Sequence, residues 1–298
     1  MSRLFDGRLF EGVVPAMVTP FKDGGIDEEA LRRHVNFLAE SGVHAVLPCG
    51  TTGESPTLSH EEHNRVIEIT VEEARGKLPV LAGTGSNSTR EAVEMSVHAK
   101  KAGADGLLLV SPYYNKPTQE GLFRHFEAIV KAAPLPVILY NIPGRCSVEI
   151  LPETLARLAA LPDIVGVKEA TGDLAKMIRV LELCGPDFLV TSGDDALTLP
   201  LLAVGGGGVI SVAANLVPER MVALWDAWKA GKTREARELF FKLLPLFRTL
   251  FLETNPIPIK HALHLAGRMG PETRLPLLPP SEPVREKLIK TLKEWEIV

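Results

Sequence analysis

Eight short apolar runs, separated by segments of helical period, constrain the fold of this chain more than any other feature. They occupy residues 12–18, 45–49, 80–84, 106–110, 137–141, 164–168, 188–192 and 209–212. Each is nearly all apolar rather than alternating, the pattern of parallel strands covered on both faces. In the first intervening segment Leu31, Val35, Leu38 and Ala39 share a face behind the acidic start Asp27-Glu28-Glu29. Ser59-His60-Glu61-Glu62 and Ser88-Thr89-Arg90-Glu91 read as capping boxes, and Gly42, Gly76, Gly103, Gly185 and Gly231 as helix stops. Right-handed crossovers make such a sheet parallel, and eight βα units close into a (β/α)8 barrel, an α/β fold. A doubly wound open sheet ranks lower, because no Gly-x-Gly-x-x-Gly turn follows the first run. Residues 233–251, 257–266 and 282–295 then read as helices with no strand between them. The chain therefore divides into a barrel, residues 1–232, and a C-terminal helical appendage, residues 233–298.

Bulk properties exclude several classes. A 298-residue chain that is 45% hydrophobic and 23% charged has the composition of a soluble globular protein. Its formal charge of −4 gives no electrostatic reason to bind nucleic acid or an anionic membrane. Residues 197–217 carry no charge, but Pro200, the glycines at 205–208 and Asn215 make them a buried helix, turn and strand rather than a span. Arg3, Asp6, Arg8 and Glu11 break up the N-terminus, which lacks the apolar core of a leader. Cys49, Cys146 and Cys184 are few and lack metal spacing, as in a reducing compartment. The expected location is the cytoplasm.

In such barrels the working residues lie at the C-terminal strand ends. The run at 164–168 ends there on Lys168. Strand alternation puts Val165 and Val167 on one face and Ile164, Gly166 and Lys168 on the other. A lysine held inside a barrel loses hydration and is deprotonated more readily, as a Schiff-base nucleophile must be. Alone, Lys168 reads better as a charged strand stop with its head in water, since lysine is almost never fully buried. Its neighbours at the predicted mouth weigh on that choice. Gly50-Thr51-Thr52-Gly53-Glu54-Ser55 offers backbone and hydroxyl donors to an anion. The strand 5 run ends on Tyr140-Asn141 before Arg145, strand 4 leads into Tyr113-Tyr114, and strand 7 into Gly193-Asp194-Asp195. A lysine, tyrosines, an anion-receptive loop and an arginine fit imine chemistry on a keto acid.

Metal is not expected: His60 and His63 are three apart and lack a third ligand, and His261 and His264 repeat that spacing as surface or packing residues. No organic cofactor is implied. The glycines at 205–208 precede the last strand and so form a tight turn at the wrong face for a phosphate site.

Six ordered motifs, Gly50-Thr-Thr-Gly-Glu-Ser, Ser111-Pro-Tyr-Tyr-Asn-Lys-Pro, Tyr140-Asn-Ile-Pro-Gly-Arg, Gly166-Val-Lys-Glu-Ala-Thr-Gly, Ser192-Gly-Asp-Asp and Gly208-Val-Ile-Ser-Val, together resemble the dihydrodipicolinate synthase family. The likeness runs from about Gly12 to Asn255-Pro-Ile-Pro-Ile-Lys. It implies condensation of pyruvate with aspartate-4-semialdehyde in lysine and diaminopimelate biosynthesis. Lys168 would form the pyruvate imine, Tyr140 would move protons, and Thr51 and Tyr114 would complete the relay, Tyr114 from a neighbouring subunit. Thr52 would hold the pyruvate carboxylate, Gly193 and Ile210 would line the pocket through their backbones, and Arg145 would bind the semialdehyde carboxylate. Lysine would inhibit at Ser55, His60, His63, Asn87, Glu91 and Tyr113, where Glu91 is also the capping partner of Ser88. A homotetramer, a dimer of dimers, is implied. One departure stands out: Arg145-Cys146-Ser147 replaces the more usual Arg-Thr-Gly. The alternatives are another pyruvate-dependent aldolase, such as one resembling N-acetylneuraminate lyase, or a non-catalytic barrel that binds a keto acid or amino acid.

Overall fold

The structure, a computed structural model, describes residues 6–298. Residues 1–5, where the stretch read above as no leader begins, lie outside the described residues. The strands are β1 (Gly12–Pro15), a hairpin of β2 (Phe21–Lys22) and β3 (Gly25–Ile26), then β4 (Leu81–Gly83), β5 (Gly106–Val110), β6 (Val137–Asn141), β7 (Ile164–Glu169), β8 (Leu189–Ser192) and β9 (Gly208–Ser211). Around them run α1 (Glu28–Glu40), α2 (His60–Ala74), α3 (Thr89–Ala102), α4 (Gln119–Ala132), α5 (Pro143–Cys146), α6 (Pro152–Leu158), α7 (Leu174–Cys184), α8 (Thr198–Ala203) and α9 (Pro218–Lys229). Three more helices, α10 (Thr233–Thr249), α11 (Ile257–Leu265) and α12 (Glu282–Glu294), follow.

Seven strands form a parallel sheet in the order β1-β9-β8-β7-β6-β5-β4. The segment at 45–49, expected as a full strand, makes only parallel bridges, Leu47 to Ala16 and Val46 to Val80. Those bridges nonetheless close the ring, with Leu47 N donating to Pro15 O at 3.0 Å and Leu81 N to Val46 O at 2.9 Å. Pro15, Pro48 and Pro79 lack an N–H, so regular pairing cannot extend along this seam. The (β/α)8 barrel expected from the sequence is thus present.

Two layers explain why the strands look uniformly apolar. Val14, Ala16, Leu47, Leu81, Leu108, Ile138, Val165, Leu189 and Ile210 fill the inside of the ring. Val13, Val46, Ala82, Leu107, Leu109, Leu139 and Val209 pack outward under the helices. β7 departs from simple alternation. Val165 belongs to the inner layer, whereas Ile164 and Val167 belong to the outer one. The register slips between Val137 and Ile138, which oppose Ile164 and Gly166, so Val165 is an extra residue. The expectation that Val165 and Val167 share a face is therefore corrected. Past the irregularity alternation resumes, and Lys168 points inward opposite Val167.

The capping box at Ser59 is complete, with Glu62 returning to the Ser59 N–H at 2.9 Å. That at Ser88 is half formed: Glu91 N reaches the Ser88 hydroxyl, but the Glu91 carboxylate accepts from Ser86 Oγ at 2.8 Å instead. The glycines at 205–207 lie at the opposite end of the barrel from Lys168, where Leu201 and Leu189 leave no room for a Cβ on Gly206 or Gly207. Among the described residues no helix is long and apolar enough to cross a membrane. No group of three or more His, Cys, Asp or Glu among them could hold a metal ion.

Candidate active site

Strand register brings the central pair together. Tyr140 on β6 is opposite Lys168 on β7, and both side chains enter the ring. The Lys168 Nζ lies 4.1 Å from the centroid of the Tyr140 ring, and each residue is only 5% exposed. One step along, Asn141 and Glu169 face outward, and Asn141 Nδ2 donates to Glu169 Oε2 at 3.0 Å. This buried bond fixes the register that opposes amine and phenol. Gly193 makes the room: a Cβ there would come within 3.1 Å of Lys168 Cε and 2.7 Å of Ala170 Cβ.

Burial dominates the electrostatics. Desolvation pulls the Lys168 ammonium down from 10.5 to about 7, the Asp195 carboxylate resists, and the Arg145 guanidinium assists. Desolvation pushes the Tyr140 phenol up to about 12, against a hydrogen bond with Thr51 and the charge of Arg145. Burial also raises Asp195 to about 6, although its Oδ2 accepts from the Val212 and Ala213 N–H groups at 3.1 and 2.9 Å. The arrangement supplies an amine that gives up its proton far more readily than a free lysine, beside a phenol that keeps its own at neutral pH.

The Thr-Thr loop is held from the C-terminal appendage. Thr52 is buried, and its Oγ1 accepts from Asn255 Nδ2 at 3.0 Å. Glu54, with φ of 53°, forms an ion pair with Lys260 at 2.5 Å, and both side chains are fully buried. Glu54 Oε2 also accepts from Arg274 N at 3.0 Å, and the Arg274 guanidinium forks onto Glu62. Cys49, Tyr114, Lys116 and Ser147 share the left-handed backbone of Glu54, with φ of 57°, 71°, 45° and 56°. All five sit on loops at the same end of the barrel, the strain pattern of a functional rim. Sequence reasoning assigned no role to Asn255, Lys260, Glu54 or Asp195. The signal was there in Asn255 and Lys260, polar residues in an otherwise apolar stretch.

A cavity of about 470 Å³ opens between these elements and is lined by Thr51, Tyr140, Arg145, Ser55, His60, His63, Glu91 and Tyr113. Of the residues expected to bind lysine, only Asn87 lies outside this lining, its carbonyl accepting from Asn115 Nδ2 at 2.9 Å. His63 is tied to Gly83 O at 2.9 Å. Arg145 stands at the rim on α5, its guanidinium donating to Asn255 O at 3.1 Å. Cys146 behind it is buried, and burial pushes its thiol up to about 11. Ile210 is buried in the inner layer. Tyr114 is 90% exposed and, unlike Tyr113, does not line the cavity of its own chain.

Fold and site define a class: a closed parallel barrel with a buried lysine amine and a phenol at its C-terminal mouth, equipped for imine chemistry. A family model described as the Dihydrodipicolinate synthetase family matches residues 9–295, and the chain belongs to that family. It is 54% identical over 290 residues to the 4-hydroxy-tetrahydrodipicolinate synthase of Geotalea uraniireducens, covering 97% of this chain and 100% of the relative. The Methanopyrus kandleri protein of the same name is 56% identical over 291 residues, covering 97% of each. Among solved structures, the Acinetobacter baumannii enzyme complexed with pyruvate superposes with a TM-score of 0.94 at 45% identity, covering 97% of this chain and 100% of that one. The Cyanidioschyzon merolae enzyme with lysine bound gives 0.94 at 42%, covering 97% and 99%.

Proposed function

We propose that this chain condenses pyruvate with aspartate-4-semialdehyde, the 4-hydroxy-tetrahydrodipicolinate synthase reaction of lysine and diaminopimelate biosynthesis. The observation that carries the reading is the buried Lys168 amine stacked over Tyr140. Neutral Lys168 adds to the pyruvate ketone, water leaves, and a carbon–nitrogen double bond forms. Loss of a methyl proton gives the enamine, whose carbon attacks the aldehyde of the second substrate. Tyr140 supplies and recovers protons, with Thr51 hydrogen-bonded to it. Thr52 holds the pyruvate carboxylate. Arg145 takes the semialdehyde carboxylate on its planar fork, which suits a carboxylate better than a point charge.

Tyr114, exposed on a single chain, completes the relay of a neighbouring subunit in a homotetramer. Ser55, His60, His63, Asn87, Glu91 and Tyr113 receive lysine as an inhibitor. The division into a barrel at 1–232 and an appendage at 233–298 is kept for the catalytic and supporting parts. The protein works in the cytoplasm. The test is an assay of purified protein with pyruvate and a panel of aldehydes. Aspartate-4-semialdehyde should be preferred and lysine should slow the reaction; preference for N-acetylmannosamine would instead assign a lyase resembling N-acetylneuraminate lyase.

A further inference from the structure

From the position of Asn255 we infer that it is a positioning residue that sets the polarity of the Thr52 hydroxyl and so makes Thr52 a donor to the first substrate's carboxylate. The inference deepens the reading of Thr52 given above and rests on it. A hydroxyl has one proton and two lone pairs. Asn255 Nδ2 donates to Thr52 Oγ1 at 3.0 Å, with both residues buried. One lone pair is thereby occupied, and the hydroxyl proton must point elsewhere. A carboxylate can only accept, so a hydroxyl whose proton is kept off its protein partner is what an anion site needs.

Two further features single Asn255 out. Its Oδ1 is buried without a hydrogen-bond partner, an exception that buried amides seldom show. The amide is therefore turned toward Thr52 without satisfying its own oxygen. In addition, its main-chain carbonyl accepts from Arg145 at 3.1 Å. One residue of the appendage thus touches both carboxylate anchors, the first through its side chain and the second through its backbone.

That split makes the test sharp. Asn255→Asp keeps the shape but replaces the donor with an acceptor that claims the Thr52 proton. Asn255→Ala only removes the donor. Neither alters the carbonyl that holds Arg145. The expected result for N255D is a pyruvate KM raised roughly ten- to a hundredfold, with the semialdehyde KM and kcat within about twofold of the parent. N255A should show the same split at a smaller size, and carries the test if N255D does not fold. Thr52→Val, measured alongside, reports on the underlying reading. If T52V raises the pyruvate KM and neither Asn255 variant does, or if both KM values rise together, the role of Asn255 is overturned while that of Thr52 stands. An unchanged pyruvate KM in T52V would remove the reading beneath both.

Discussion

The Lys168 amine sits 4.1 Å above the centre of the Tyr140 ring, on the neighbouring strand and in register with it. A ring face attracts a cation, so this contact by itself favours the protonated amine. Desolvation outweighs it and brings the amine down to about 7, so that free base is available near neutral pH. The direction for activity follows. Only the free base attacks a ketone, so imine formation should be flat above that value. Below it, the rate should fall about tenfold per pH unit. A trapping-rate profile with pyruvate between pH 5 and 9 checks this; a rate still climbing about tenfold per unit up to pH 9, with no inflection, would mean that the amine is not desolvated.

Replacing Tyr140 with Phe keeps the ring under the amine and removes the proton carrier. General acid–base catalysis contributes typically 10²–10⁴-fold, so kcat should drop by about that range. The folded state should change little, because the hydroxyl is the only group lost. Stopped-flow rates and a thermal melt, taken together, separate the two effects.

Arg145 stands beside an unusual backbone. Ser147, where the family more often has glycine, holds φ at 56° as the cap of the short helix that carries Arg145. Serine tolerates that region; a β-branched residue there is an outlier. Ser147→Val should cost about 1–3 kcal/mol in a denaturant melt and raise the semialdehyde KM by displacing Arg145. Arg145→Ala should leave imine trapping intact and slow the condensation at least tenfold.

The Glu54–Lys260 pair is fully enclosed, so removing one partner strands a charge. Lys260→Met should destabilise the protein by about 3–5 kcal/mol, whereas the double variant Glu54→Leu/Lys260→Met should recover much of that loss. A double-mutant cycle by urea unfolding measures the coupling.

Much of this architecture was legible in the chain because apolar runs and glycine stops report local backbone geometry. Gly42, Gly103 and Gly231, for example, do hold φ of 77°, 99° and 72°. Lys168, Tyr140 and the Thr-Thr loop were also legible, since each follows a strand and barrel mouths collect such residues. Two things were not. The placement of Val165 depends on a one-residue slip between β6 and β7, and strand alternation alone cannot register an insertion. The partners Asn255 and Lys260 come from the turn before α11 and from α11 itself, about two hundred residues downstream of Thr52 and Glu54, and no local period encodes which loop so distant a segment will touch.

The central claim is that Lys168 is the nucleophile. Mass spectrometry of the protein after borohydride reduction with pyruvate tests it most directly. The account predicts a single reduced pyruvyl adduct on the peptide containing Lys168, absent from Lys168→Ala; an unmodified Lys168 peptide, or an equal adduct in the variant, would contradict it.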